Sequence, residues 1–347
     1  MITTRRARSG VRIVSAVVAT SLVALSSGCA SAPPVSVVSS TVQRLVVDTD
    51  LDLSDIAALA ALLREPDVEV VAVTLTPNGT GPWDCDTLLR LGHWVLERMS
   101  RADVPVACGR EHAAPDALAF PAAYHEGAAR VWGLTLPPVP PGAETTTAAA
   151  LISSSAEASP EPILVVALGP WTNLGDAFAA DPELAGRVSA VHAMIGAVAV
   201  DGNVEAGSVK YADRLEWNAV LDPESFRAVF ATPVALRLVP LDATQDVPVP
   251  GDLRERLGEG SVPGAALVSD LLDAWPERTT GEGQQLWDEL AALAVTHADV
   301  VRWEARTLTV AANTRLDVED SGRPVTVAVE GYADATVAAL VDALSSP

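Results

Sequence analysis

A cluster of aspartates stands near the start of the chain, where a buried strand gives way to a helix. Asp48, Asp50, Asp52 and Asp55 fall within eight residues. Carboxylates this close repel one another unless protons or a cation offset their charge. Hard cations such as Ca²⁺ and Mg²⁺ bind several oxygen ligands at once, so the pattern suits a divalent metal site.

Three interpretations of this cluster stay open from the segment alone. The first is an acidic helix start, in which Ser54 or Asp55 caps the helix and no chemistry is involved. The second is an EF-hand-like loop, but the sequence lacks the glycine and the closing glutamate that such a loop needs. The third is a metal-centred active site, in which strand alternation places Asp48 and Asp50 on one side and Asp55 returns from the first helical turn.

Strand and helix patterns alternate along the chain and must position this cluster. Apolar, β-branched runs predict strands over residues 44–48, 68–74, 104–108, 162–168, 188–195 and 233–239. Runs rich in Ala and Leu predict helices over residues 56–64, 85–99, 174–180, 223–230, 267–274 and 286–296. The predicted fold is α/β: a mainly parallel central sheet flanked by helices in a Rossmann-like open sandwich, with an antiparallel edge at 303–311 and 324–329. Ligands of such sheets bind beyond the carboxyl ends of the strands.

The overall composition narrows the class of protein. The 347 residues carry 23 Lys and Arg against 45 Asp and Glu, a formal net charge of −22, and Lys210 is the single lysine. A nucleic-acid binder needs a basic face to contact phosphates, so nucleic acid is excluded as a partner. Three cysteines cannot build a disulfide scaffold or a multi-cysteine zinc site. Cys85 and Cys108 are either a disulfide or two buried thiols.

The N-terminal segment predicts export. Four arginines precede a short apolar stretch over residues 13–25, which is too short for a comfortable transmembrane helix. The following Ser-Ser-Gly-Cys ending resembles a bacterial lipobox, in which Cys29 becomes the lipidated N-terminus, and an ordinary cleaved signal peptide is the alternative. We therefore expect a signal peptide over 1–29, a flexible tether over 30–43 and one domain over 44–347.

Five sequence blocks occur in the order found in the nucleoside hydrolases, the inosine- and uridine-preferring, calcium-dependent N-ribohydrolases. The aspartate cluster resembles the family signature Asp-x-Asp-Pro-Gly-x-Asp-Asp. The other four blocks are Leu168-Gly-Pro-Trp-Thr172-Asn173, Met194 to Asn203, Glu216-Trp217-Asn218 followed by Asp222-Pro223-Glu224, and Trp287-Asp288. The resemblance covers residues 44–300 and implies the nucleoside-hydrolase version of the predicted open sandwich.

The resemblance also implies roles for individual residues. It implies one Ca²⁺ held by four carboxylates and one backbone carbonyl, supplied by Asp48, Asp50, Asp55, Asp288 and Thr172 respectively. Asp50 would in addition accept a proton from the metal-bound water that attacks C1′ of the nucleoside. Contacts to the sugar and the base would come from Ser54, Asn78, Asn203, Glu216, Trp217, Asn218 and Trp287.

The sequence departs from the family pattern at several positions. Ser54 replaces an aspartate that contacts ribose hydroxyls in the family, and Leu51-Asp52 replaces Pro-Gly. Asn78 matches the family asparagine only after a one-residue shift, because Gly79 occupies the ungapped position. Trp287 stands where some members carry a histidine, so the departing base would rely on aromatic stacking. The candidate stacking residues, each of a type found more often in cores, are Trp83, Trp217 and Trp287.

We therefore expect an exported enzyme, anchored to the cell membrane by its lipid and facing outside, that hydrolyses a ribonucleoside to free base and ribose. Two alternatives come from other classes. One is a non-catalytic, metal-containing lipoprotein that binds nucleosides or sugars on the same scaffold. The other is a haloacid-dehalogenase-like phosphatase, which needs a downstream lysine, whereas Lys210 lies in a loop-like stretch. The family's dimers and tetramers imply a homodimer or homotetramer.

Overall fold

The computed structural model of the chain describes residues 42–346, apart from 113–114, 122–123, 125–127, 129–130, 141–145, 259–261 and 282. The predicted signal peptide with Cys29 lies outside the described residues, as does the predicted tether up to residue 41. From residue 42 onward, strands and helices alternate as the sequence pattern predicts.

A single sheet organises the described residues. Its strands are β1 Gln43–Thr49, β2 Val68–Leu75, β3 Val106–Cys108, β4 Ile163–Ala167, β5 Val188–Ala193, β6 Leu236–Leu238, β7 Val301–Val310, β8 Leu316–Val318 and β9 Arg323–Gly331. They lie side by side in the order β3-β2-β1-β4-β5-β6-β9-β7-β8. The pairs from β3 to β9 are parallel, whereas β7 pairs antiparallel with both β9 and β8. The predicted α/β fold with a mainly parallel sheet and an antiparallel edge is confirmed.

Helices connect the strands and cover the sheet. They are α1 Leu53–Leu62, α2 Cys85–Arg98, α3 Ala148–Ala158, α4 Thr172–Ala180, α5 Trp217–Leu221, α6 Pro223–Phe230, α7 Leu241–Thr244, α8 Leu253–Arg256, α9 Pro263–Ala274, α10 Glu277–Thr280, α11 Trp287–Leu293 and α12 Ala333–Ser345. Of the helices in the described part of the chain, none is both long and apolar enough to cross a membrane.

Both faces of the sheet are covered, because successive residues of a strand point to opposite faces. Leu45 and Val47 of β1 belong to the buried cluster that includes α1, α2 and α11. Val46 between them belongs to the cluster that includes α3, α4 and α6. Every residue of α1 is buried. Since burying one large apolar side chain contributes roughly 1.5–3 kcal/mol, the core holds the helix start that carries the aspartates firmly in place.

The turn between β1 and α1 is shorter than the predicted helix start at residue 56 implies. β1 ends at Thr49, and Leu51 has a φ of 55°, in the left-handed region that side chains other than glycine rarely adopt. Asp52 is the N-cap of α1, and its carboxylate makes no capping hydrogen bond. The helix therefore starts earlier than predicted, and the interpretation in which Ser54 or Asp55 caps it is wrong.

A disulfide settles the alternatives for two cysteines. Cys85, the first residue of α2, is bonded to Cys108, the last residue of β3, with their Cα atoms 5.8 Å apart. The bond ties the start of a helix to the end of a neighbouring strand.

Candidate active site

A cavity of about 320 Å³ opens beyond the carboxyl ends of β1, β4 and β5, and Asp50, Leu168 and Met194, which follow these strands, line it. Nine of the residues predicted to form the site also line it: Asp50, Ser54, Asp55, Asn203, Glu216, Trp217, Asn218, Trp287 and Asp288. The fold thus brings the early aspartates, the middle blocks and the late Trp-Asp pair to one place. Asp52, which the sequence left unassigned, lines the same cavity.

Four of the lining carboxylates are buried, with at most 5% of each residue exposed: Glu216 and the aspartates Asp50, Asp55 and Asp288. Burial raises the pKa of Asp50 to about 6, and the charge of Asp52 adds to this effect. Burial also raises the pKa of Asp55, helped by repulsion from Asp50 and Asp288. The pKa of Asp288 is raised in the same way, chiefly by burial. Confined negative charge of this kind favours a bound cation.

The turn after β2 orients Asp50. Oδ2 of Asp50 accepts hydrogen bonds from the backbone N of Thr80 at 2.6 Å and from its Oγ1 at 3.1 Å. Gly79 has no room for a side chain, because a Cβ there would lie 2.0 Å from the same oxygen. Thr49 Oγ1 donates a 2.5 Å bond to Oδ1 of Asp55. Both carboxylates are therefore held by neighbours with defined positions.

Asp48 is not among the residues that line this cavity. Its Oδ1 accepts hydrogen bonds from Thr74 Oγ1 at 2.6 Å and from Asn173 Nδ2 at 2.7 Å. It is fully buried, which raises its pKa to about 7. The charge of Asp50, one residue beyond the end of β1, adds to this rise, so the two carboxylates interact electrostatically.

Two further predicted residues have side chains outside the cavity lining. Asn78 Nδ2 donates to Thr172 Oγ1 at 3.0 Å, and Thr172 Oγ1 donates to Asp222 Oδ2 at 2.8 Å. Arg110 donates to the same Asp222 oxygen at 2.5 Å. The predicted role of Thr172 uses its backbone carbonyl, and these side-chain hydrogen bonds do not test that role. The network joins the start of α4 to the turn after β2.

Glu216 and the two asparagines form a rigid polar wall. Both carboxylate oxygens of Glu216 accept backbone hydrogen bonds, from Asn218 N at 2.9 Å and from Gly196 N at 2.9 Å. Burial raises the pKa of Glu216 to about 7. Asn218 Nδ2 donates to backbone carbonyls after β4 and β5, and Asn203 Oδ1 accepts from Trp217 N at 3.1 Å. These side chains are positioned in advance of any ligand.

Aromatic side chains form another part of the cavity wall. Trp217 packs edge-on against Phe120, with ring centroids 4.8 Å apart. Trp287 is half-buried, and the guanidinium of Arg278 lies 5.6 Å from its ring centroid. Trp83 instead belongs to the core, where its Nε1 donates to Ala128 O at 3.0 Å. Two of the three candidate stacking tryptophans therefore reach the cavity.

Thr80, Tyr124 and Arg278 also line the cavity, although the sequence did not predict them as site residues. Thr80 carried the only usable signal, since it follows the carboxyl end of a parallel strand. Tyr124 lies outside the five sequence blocks of the family, although its hydroxyl is 2.6 Å from the Asp52 carboxylate. Arg278, in a short helix, forms a buried ion pair of 2.9 Å with Glu289. Contacts of this type depend on tertiary packing, which spacing along the sequence does not reveal.

Comparison with known families decides the identity of this site. Residues 45–343 match the family described as inosine-uridine preferring nucleoside hydrolase. The chain belongs to this family. Nucleoside hydrolases are N-glycosyl hydrolases, so the predicted enzyme class and the hydrolysis of a ribonucleoside are confirmed. The family assignment does not favour the phosphatase alternative.

Two relatives of this nucleoside hydrolase are named for pyrimidine nucleosides. Pyrimidine-specific ribonucleoside hydrolase RihA of Citrobacter koseri is 28% identical over 233 residues, which are 67% of this chain and 71% of that protein. Its counterpart in Klebsiella pneumoniae strain 342 is 29% identical over 230 residues, 66% and 70% of the two chains.

Solved structures share the fold. A purine-preferring ribonucleoside hydrolase from Gardnerella vaginalis aligns with a TM-score of 0.75 at 21% identity, covering 87% of this chain and 98% of its own. An inosine-uridine preferring nucleoside hydrolase from Bacillus anthracis aligns with a TM-score of 0.74 at 20% identity, covering 87% and 99%. At this identity the likeness concerns the fold.

The donor chemistry of the nucleoside hydrolase cavity fits a hard divalent cation. Its buried carboxylates offer oxygen ligands, and the buried oxygens Asp48 Oδ2 and Asp288 Oδ1 have no hydrogen-bond partner among the described residues. In this conformation, however, no three His, Cys, Asp or Glu side chains of the described residues converge closely enough to ligate one ion. Binding of one ion by Asp50, Asp55 and Asp288 would therefore bring these carboxylates closer together than they lie here.

Proposed function

We propose that this nucleoside hydrolase cleaves the N-glycosidic bond of its substrate in the cavity lined by Asp50, Asp55 and Asp288. The observation that supports this most is their shared cavity with the polar wall of Glu216 and Asn203 and with aromatic rings. Carboxylates suit a cation and a reacting water, polar groups suit sugar hydroxyls, and aromatic rings suit a flat base.

Asp50 is the proposed general base. The water oxygen forms a bond to C1′ while the bond from C1′ to the base nitrogen breaks, and the electron pair leaves with the base. Asp50 takes the proton that the water releases, and the departing base gains a proton from solvent. A positioned general base contributes roughly 10²–10⁴-fold to such a rate. The two hydrogen bonds from Thr80 fix the carboxylate that performs this step.

The polar wall is proposed to bind the sugar. Positive charge develops on the ribosyl ring as the glycosidic bond stretches, and a buried carboxylate such as Glu216 stabilises that charge. Asn203 would donate through Nδ2 to a ribose hydroxyl, Asn218 would accept from another through Oδ1, and Ser54 would be a further sugar contact. Because these groups are held by backbone hydrogen bonds before the substrate arrives, little reorganisation is needed during the reaction.

Ca²⁺ is the proposed resident metal. Asp50, Asp55 and Asp288 would hold it, with Asp48 through Oδ2 and the Thr172 backbone carbonyl as further ligands. When bound, the ion supplies positive charge that offsets carboxylate repulsion and lowers the pKa of a nearby water. An oxygen-only donor set with adaptable geometry favours Ca²⁺ over the more demanding Mg²⁺.

The cellular setting is proposed from the sequence before residue 44 and from the family. We infer an exported protein with residues 1–29 as signal peptide, lipidated at Cys29, tethered by residues 30–43 and facing outside the cell membrane. The catalytic domain would span residues 44–347. Assembly as a homodimer or homotetramer is proposed from the family alone.

Release of free base tests the proposed function. The purified domain should release base from at least one of adenosine, inosine, guanosine, cytidine and uridine when Ca²⁺ is present, and should lose this activity after chelation with EGTA. Equilibrium dialysis with the same nucleosides distinguishes the alternative. Binding of a nucleoside without any base release would support the non-catalytic binding protein and contradict the hydrolase.

A further inference from the structure

Asp52 is the N-cap of α1, but its carboxylate finds its main partner outside that helix. An aspartate at an N-cap normally accepts a hydrogen bond from the helix's second or third amide, and Asp52 accepts no such capping bond. Instead, both of its carboxylate oxygens lie 2.6 Å from the hydroxyl of Tyr124. Both residues line the cavity. The carboxylate at this helix start is therefore directed to the cavity.

The Asp52–Tyr124 pair offers hydrogen-bond acceptors to a ligand. A phenol carries one proton, and Tyr124 donates it to Asp52. Each carboxylate oxygen keeps another lone pair, and so does the phenol oxygen. A ligand group that meets this pair must therefore bring its own N–H or O–H donor.

Aromatic contacts place the pair beside the base rather than the sugar. The Tyr124 ring lies edge-on to Phe120 at 5.1 Å and to Trp275 at 5.6 Å. Phe120 in turn contacts Trp217, which also lines the cavity. The acceptors of Asp52 thus stand at the edge of an aromatic wall, where the rim of a stacked base would lie.

We propose that Asp52 is a specificity-determining residue that selects nucleosides whose base carries an exocyclic amino group; this deepens, and rests on, the proposed function. An amino group donates to the Asp52 carboxylate. A carbonyl oxygen at the same ring position would leave two acceptors facing each other, each without a partner. A hydrogen bond to a charged group changes affinity by roughly tenfold or more, so the preference is measurable.

Two matched substrate pairs isolate this contact. Adenosine and inosine, like cytidine and uridine, differ by an amino group in place of a carbonyl. In the wild-type protein we expect kcat/KM to favour the amino member of at least one pair by about tenfold or more. In Asp52→Asn, the Tyr124 proton holds the amide oxygen and turns the amide NH₂ to the cavity. The preference should then invert toward the carbonyl base.

Tyr124→Phe provides the matched control, because it keeps the carboxylate and should keep the preference for the amino base. Identical ratios in wild type and Asp52→Asn would overturn the proposal. Each ratio is taken within one protein, so a general loss of activity cancels.

Dissociation constants for the same pairs, read from tryptophan fluorescence, decide the specificity even without turnover. Equal constants for both members of each pair would overturn the role of Asp52. The absence of base release would overturn only the hydrolase function.

Discussion

Ser54 Oγ donates a 2.6 Å hydrogen bond to Oδ2 of Asp288 and so joins the first turns of α1 and α11, 234 positions apart in the sequence. Both residues are buried and line the same cavity. The bond shows how the late aspartate becomes part of the early cluster. Ser54, which replaces an aspartate of the family pattern, therefore orients the Asp288 carboxylate.

Ser54→Ala should destabilise the metal-free protein. The change removes the donor to Asp288 and leaves a buried carboxyl oxygen without a partner, which costs about 1–3 kcal/mol. Denaturant unfolding in EGTA measures this free energy. Ser208→Ala, at an exposed position, is the matched control and should be neutral. Equal stability of Ser54→Ala and wild type would show that the bond does not hold Asp288.

Calcium should raise the melting temperature of the wild-type protein. An ion that binds only the folded state adds about 2.7 kcal/mol at one hundred times its dissociation constant. Asp55→Asn removes one proposed ligand and should lose most of this shift. Asp320→Asn, an exposed position, should keep it. A calcium shift of the same size in Asp55→Asn would remove Asp55 from the proposed ligand set.

Stability should fall in acid because of His192. This side chain is fully buried, its Nε2 donates to Ala291 O at 2.7 Å, and burial lowers its pKa from 6.5 to about 3. Because the pKa of His192 is lower in the folded than in the unfolded protein, its contribution to the free energy of unfolding is fully present above pH 6.5. This contribution is lost as the pH falls from 6.5 toward 3. At pH 5 the loss is about 2 kcal/mol, at about 1.4 kcal/mol per pH unit.

Comparison with a variant isolates this effect from that of the buried carboxyl groups. The free energy of unfolding is measured at pH 8 and pH 5 for wild type, His192→Gln and the exposed His112→Gln. The stability of wild type relative to His192→Gln should fall by about 2 kcal/mol between the two values. His112→Gln should track wild type. Parallel curves for wild type and His192→Gln would contradict a buried neutral imidazole.

Removing the disulfide should destabilise the fold. Cys85 and Cys108 are 23 positions apart, and closing a loop of this size contributes about 3 kcal/mol. The double variant Cys85→Ala/Cys108→Ala should unfold at lower denaturant concentration than wild type. A thiol reductant should destabilise wild type and leave the double variant unchanged. Equal effects of the reductant on both proteins would argue against this disulfide.

Much of the scaffold follows from the sequence in physical terms. Continuous apolar runs between helices predict parallel strands buried on both faces, and the alternation of residues 303–311 and 324–329 predicts the antiparallel edge that β7 and β9 form. The location of the site also follows from the sequence. Parallel strands end at one edge, so Asp50 and the blocks after β4 and β5 had to meet there.

Other parts of the site depend on tertiary contacts that no pattern along the chain encodes. The turn after β1 is one example, because no pattern in the sequence predicts the left-handed backbone of Leu51 or the N-cap position of Asp52. Tyr124 and Arg278 come from irregular or short segments and reach the cavity only through packing. Their positions in the cavity are therefore seen only in the structure.

In the proposed reaction, Asp50 accepts the proton of the water that attacks C1′. The most direct measurement is base release by wild type and by Asp50→Asn, both loaded with Ca²⁺, with melting curves to show that both are folded. We expect release by wild type and a loss of at least about 10²-fold in kcat for Asp50→Asn. An Asp50→Asn protein with wild-type turnover, or a wild-type protein that releases no base from any ribonucleoside, would contradict the proposed reaction.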